Sequence, residues 1–127
     1  MIGMLILSHS NLIAKGLVET CKQMAPDINI EGIGGIEKRL GIDAELALQK
    51  LNEMLENNEK VVIYADIGST VLSAKTIKEL SSRPADVHIV DAPLVEGSIT
   101  GSIEISIGSD IDKIIEESKK SCFIEKN

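Results

Sequence analysis

From the first residues onward, apolar runs of strand length alternate with stretches of helical periodicity, and few architectures accommodate that alternation. Strand, helix and strand in succession form the unit of a parallel sheet, so the chain is expected to fold as an α/β domain. Ile2 to Leu7 reads as strand one. Ser10 is placed to cap a helix on which Leu12, Ile13, Gly16, Leu17, Cys21 and Met24 share a face, and Pro26 marks its exit. Ile28 and Ile30 alternate with polar neighbours in the manner of an edge strand, followed by a Gly32-Ile33-Gly34-Gly35 loop. Asp43 caps a second helix with Leu46, Ala47, Leu51, Met54 and Leu55 inward, ending at Asn57-Asn58.

Val61 to Ala65 is strand three and Val87 to Val90 strand four. Between them, Ser69 or Thr70 starts a helix that turns Val71, Ala74, Ile77 and Leu80 inward and closes at Ser82-Arg83-Pro84. The stretch from Val95 to Ile107 is ambiguous: its isoleucines at 103, 105 and 107 alternate, whereas Glu96, Gly97 and Ser98 suggest a helix start, and the helix is preferred. Ile111, Ile114 and Ile115 mark a last short helix.

Strands one and three are the most continuously apolar and belong at the centre of the sheet, which favours the order 2-1-3-4. The expected fold is therefore a doubly wound, mainly parallel four-stranded sheet with helices on both faces. At 127 residues, 43% of them apolar, residues 1 to 127 make one domain whose core needs no disulfide or metal. In such sheets the winding reverses between strands one and three, and ligands bind in the crevice at their carboxyl ends.

Several function classes are disfavoured. The net charge is −7 and aromatic residues make up 2%, leaving neither a basic patch for phosphates nor rings on which bases stack, so no nucleic-acid partner is expected. The first apolar run lacks a basic leader and is far shorter than the ~20 residues that span a bilayer, so no membrane insertion and a cytoplasmic location are expected. Cys21 and Cys122 are distant and have no CxxC spacing, as befits unpaired thiols. The chain has no Gly-Lys-Ser/Thr phosphate loop, no dinucleotide glycine pattern around Gly32 and Gly34, and no Gly-x-Ser-x-Gly turn. Strand one ends without the acidic cluster with which receiver domains bind Mg²⁺. Neither a cofactor nor a metal is expected on this chain, and a metal set of His9, Asp66 and His88 would require the interior of strand four to reach the crevice. His88, mid-strand between apolar neighbours, reads as structural.

Strand one runs into Ser8-His9-Ser10 and strand three into Asp66-Ile67-Gly68-Ser69, which brings a histidine and an aspartate to the switch point. A carboxylate bonded to one ring nitrogen fixes the tautomer and frees the other nitrogen as a nucleophile, the role open to Asp66 and His9. Ser10 and Gly68-Ser69 open helices, whose N-terminal N–H groups suit a phosphoryl group carried on the ring, and Ser8, Ser10 and Ser69 add hydroxyls. A phosphohistidine and a satisfied structural histidine both remain open on these grounds, with metal and general-base roles behind them.

The opening Ile2-Gly3-Met4-Leu5-Ile6-Leu7-Ser8-His9-Ser10, the Gly34-Gly35 loop, Asp66-Ile67-Gly68-Ser69 and Asp91-Ala92-Pro93-Leu94-Val95-Glu96-Gly97 together resemble the mannose-type enzyme IIA superfamily. More narrowly, they resemble the phosphotransfer subunits of phosphoenolpyruvate-dependent dihydroxyacetone kinases. The resemblance implies that His9 carries the phosphoryl group, that Asp66 orients it, and that Gly68 and Ser69 match the family's glycine and serine. It implies HPr as donor and ADP on the kinase's nucleotide-binding subunit as acceptor, with a dihydroxyacetone-binding subunit beyond. With the apolar C-terminal segment it also implies a homodimer. The alternatives are a sugar-permease enzyme IIA that feeds a IIB domain and a non-catalytic flavodoxin-like assembly module. The sequence departs from the family at Gly41-Ile42-Asp43, where a hydroxyl residue is common.

Overall fold

A computed structural model describes residues 1–35, 42–123, 125 and 126. Strand β1 (Ile2–Leu7) leads into helix α1 (Asn11–Met24), followed by β2 (Ile30–Ile33), α2 (Ala44–Asn57), β3 (Lys60–Ala65) and α3 (Gly68–Leu80). A short 3-10 turn at Pro84–Asp86 precedes β4 (Val87–Ile89), and α4 (Leu94–Ser106) and α5 (Ile111–Lys120) complete the chain before a second such turn at Ser121–Phe123. The sheet order is β2-β1-β3-β4, all parallel, as the apolar continuity of strands one and three implies. Leu7 pairs with Ile33 on one side and Ala65 on the other, so β1, β2 and β3 end level with one another.

Side chains alternate across the sheet, and each face builds its own core. Met4, Ile6, Val62 and Tyr64 bury against α1, α4 and α5, and Leu5, Leu7, Val61 and Ile63 against α2 and α3. Ser10, Asp43 and Asp110 cap α1, α2 and α5 by accepting backbone N–H groups of Ile13, Leu46 and Lys113. Neither α3 nor α4 has a side-chain cap.

Several expectations need correction. Gly32 and Ile33 extend β2 rather than forming a loop, because Gly32 lets the backbone of α1 at Ala14 approach the edge strand where any Cβ would collide. The inner face of α1 is Ala14, Leu17 and Cys21, while Leu12, Ile13, Gly16 and Met24 are exposed. On α2 Leu46 is exposed and the other four predicted positions are buried. Helix α3 begins one residue earlier than expected, at Gly68; it buries Thr70, Ala74 and Ile77, leaves Val71 half-buried and turns Leu80 to solvent. The ambiguous stretch is helical, with Gly97, Ser98, Gly101 and Ser102 buried on α4. Gly101 leaves the space that the Tyr64 hydroxyl occupies on its way to Ser118 Oγ, 2.6 Å away. Ile42 packs half-buried against the α2–α3 core; Gly41, the preceding position of that family departure, lies outside the described residues.

Candidate functional site

The carboxyl ends of β1 and β3 lie side by side, so the residues that follow Leu7 and Ala65 meet. His9 Nδ1 lies 2.5 Å from Asp66 Oδ2. The same oxygen accepts the Ser8 hydroxyl at 2.8 Å and the His9 backbone N–H at 3.1 Å, and Oδ1 accepts the Ile67 N–H at 2.8 Å. Burial acts to raise the Asp66 pKa, but hydrogen bonds from His9, Ser8 and Thr70 side chains and from the His9 backbone outweigh it and bring the carboxyl from the ordinary 3.8 to about 2. An ionised carboxylate only accepts, so the proton between the pair sits on Nδ1 and the lone pair of the neutral ring on Nε2. The His9 side chain is 31% exposed against 10% for Asp66, which makes the histidine the accessible member.

The surroundings favour an anion. Gly68 and Ser69, both exposed, form the uncapped start of α3 immediately after Asp66, and the first N–H groups of a helix have no intrahelical acceptor. Ser10, half-buried, borders His9 on the other side with its Oγ accepting the Ile13 N–H at 3.4 Å. Ser8 differs from these expectations: it is fully buried, and its hydroxyl is committed to Asp66 rather than free for a ligand. Two grooves flank the pair. One of about 480 Å³ is lined by Asp66, Val71, Lys75 and Asp91, and one of about 330 Å³ by Asn11, Lys15, Gly34 and Asp43.

His88 stands apart, level with Val62 and three residues short of the end of β3, about 10 Å down the strand. Burial, then Lys60 and Lys78, push its pKa down, and its Nε2 is buried without a partner among the described residues. Among the described residues no three His, Cys, Asp or Glu side chains are grouped to hold a metal. Cys21 is buried and Cys122 exposed, both as free thiols, and no described helix is long and apolar enough to cross a membrane. Thr70, 1% exposed and directed at Asp66, was missed in sequence; its spacing with Ala74 and Ile77 is the signal that would have placed it inward.

Fold and site together define a doubly wound α/β domain with a histidine–carboxylate pair at the switch point of its sheet. The family model for the PTS system fructose IIA component matches residues 3–115, and the chain belongs to that mannose-type enzyme IIA family. It is 35% identical over 121 residues to phosphoryl donor subunit DhaM of the PEP-dependent dihydroxyacetone kinase 2 of Listeria innocua serovar 6a, covering 92% of this chain and 96% of that protein. It is 34% identical to the phosphoryl donor subunit DhaM of the PEP-dependent dihydroxyacetone kinase of Providencia stuartii over 95% of this chain, yet spans only 27% of that longer protein. Among solved structures, a crystal structure of a protein of unknown function superposes with a TM-score of 0.84 at 31% identity, covering 94% of this chain and 93% of the other.

Proposed function

We propose that this chain is the phosphocarrier subunit of a PEP-dependent dihydroxyacetone kinase, taking a phosphoryl group from phospho-HPr on His9 and delivering it to ADP on the kinase's nucleotide-binding subunit. The observation that carries the reading is the 2.5 Å contact of His9 Nδ1 with Asp66, which reserves the other nitrogen of a partly exposed ring, while the uncapped start of α3 follows Asp66 directly in the chain. The names of the full-length Listeria relative and the longer Providencia one support the kinase as the destination.

In the first transfer the Nε2 lone pair attacks phosphorus, an Nε2–P bond forms and the N–P bond to the donor histidine of HPr breaks. The Nδ1 proton stays on the ring, and positive charge that develops there is met by Asp66. Gly68 and Ser69 N–H groups and the Ser10 and Ser69 hydroxyls hold the phosphoryl oxygens. In the second transfer a β-phosphate oxygen of ADP attacks phosphorus, the Nε2–P bond breaks and the ring returns to its neutral state. Positioning and charge stabilisation are most of what phosphoryl transfer asks of a protein. The reading includes a cytoplasmic homodimer acting with the dihydroxyacetone-binding subunit.

Labelled phosphoenolpyruvate with enzyme I and HPr should label the wild type and His88→Ala but not His9→Ala. Label retained by His9→Ala defeats the reading. The phosphorylated chain mixed with kinase subunits and ADP should yield ATP or dihydroxyacetone phosphate. Efficient transfer to a mannose-type IIB domain, with none to the kinase, would instead establish a sugar-permease enzyme IIA.

A further inference from the structure

We propose that Ser8 is a positioning residue of this site: its buried hydroxyl, donating to Asp66 Oδ2 and accepting the Ser10 N–H, locks the carboxylate against His9 Nδ1 and so reserves Nε2 for the phosphoryl group. The last clause rests on the phosphocarrier reading; the positioning itself does not.

The place of Ser8 in the strand pattern is the first argument. Met4 and Ile6 point into the α1–α4–α5 core, and position 8 continues that face, where packing alone would place an apolar side chain. A hydroxyl with 0% exposure is stable there only with its bonds made, and Ser8 makes both: 2.8 Å to Asp66 Oδ2 and 3.0 Å from the Ser10 N–H. The second argument is direction. A hydroxyl has one proton, and with the Ser10 N–H bonded to its oxygen that proton is aimed at Asp66. The chain of bonds Ser10–Ser8–Asp66–His9 thus ties the start of α1 and the ends of β1 and β3 into one unit. Without it, the bonds placed on Asp66 Oδ2 are those of His9 itself, and the carboxylate is held independently of the ring only by the Ile67 N–H on Oδ1 and by Thr70, a looser hold on its orientation. Ser8 also helps to hold the Asp66 carboxyl low, as does Thr70 from α3. The charged groups near Asp66 are His9 on the crevice side and Lys75 and Asp91 along the outer groove.

The test uses the full chain as Ser8→Ala and as Ser8→Cys, which keeps the side-chain shape in a slightly larger atom with only a weak donor and decides the matter if the alanine chain fails to fold. Carboxylate ¹³C and imidazole ¹⁵N resonances of the unphosphorylated protein are followed against pH, and phosphorylation by phospho-HPr is timed separately. The expected result is an Asp66 midpoint that rises from about 2 toward 3.8, a His9 ring that no longer keeps its proton on Nδ1, and phosphorylation slowed about tenfold to a hundredfold. Ser102→Ala, which removes another buried serine, one bonded to Ile99 O on α4, should change none of these. Folded Ser8 variants with wild-type Asp66 and His9 resonances would overturn the positioning role. A wild-type chain that phospho-HPr does not label would overturn the phosphocarrier reading alone, since the resonances are read without any transfer.

Discussion

The Ser8 hydroxyl, the ring and backbone N–H of His9, the Ile67 N–H and the Thr70 side chain converge on the Asp66 carboxylate, and the consequence is a group held well below the usual carboxylate range. Its folded value of about 2 lies below the ordinary 3.8, so it contributes stability that is complete above about pH 4 and is lost as pH falls toward 2. The amount is about 2 kcal/mol. Asp66→Asn should remove that pH-dependent part, which urea unfolding between pH 2 and 5 measures. It should also slow phosphorylation by about 10 to 10³-fold, because an amide does not meet developing imidazolium charge as a carboxylate does. Wild-type transfer kinetics would remove Asp66 from the mechanism. The pair was legible in the sequence because both residues lie within two positions of the ends of strands whose apolar continuity fixes their neighbours. Ser8 and Thr70 were not, since a hydroxyl beside a strand end or helix start has the same signature whether it binds a ligand, caps a helix or orients a carboxylate.

At the scale of elements, the crevice depends on how closely α1 lies against the end of β2. A Cβ at Gly34 would overlap the backbone of Ser10 and Asn11, and backbone cannot step aside as a flexible side chain does. Gly34→Ala should therefore cost about 1–3 kcal/mol in urea unfolding and slow phosphorylation by displacing the turn that carries His9. Gly16→Ala, on the exposed side of the same helix where a Cβ meets nothing, should stabilise by about 0.5–1 kcal/mol and leave transfer unchanged. This close approach also explains the misread faces. Periodicity weights large apolar residues, whereas the inner face of α1 is built on Ala14, Leu17 and Cys21, two of them small, because the helix must come near a glycine-bearing edge strand. Strand order was legible for the opposite reason: β1 and β3 are covered on both faces and show it as unbroken apolar runs.

The misread residues acquire a meaning at the scale of the whole molecule. Leu12 and Ile13, in the first turn of α1, follow His9 closely and are exposed, Leu12 by 82%; Ile67, 48% exposed, follows Asp66, and Leu72 lies exposed one turn further along α3. Of the flanking grooves, one sets Lys15 against Asp43 and the other sets Lys75 against Asp66 and Asp91, so neither is a basic surface, and exposed apolar side chains supply the larger attraction around the histidine. A carrier must present one Nε2 to a donor and then to an acceptor, and both must bring phosphorus or its acceptor oxygen into line with that nitrogen. On the proposed reading the two partners use one overlapping face in turn. Leu12→Glu and Ile67→Glu, at positions whose exposure spares the core, should lower kcat/KM with phospho-HPr and with the kinase subunits together, by about tenfold each, as loss of a central apolar contact does. Ile107→Glu, exposed just past the far end of α4, should alter neither transfer. Steady-state kinetics of both half-reactions decide the matter: a Leu12→Glu chain impaired with one partner and normal with the other would mean two separate docking faces, and the carrier would then hold both partners at once.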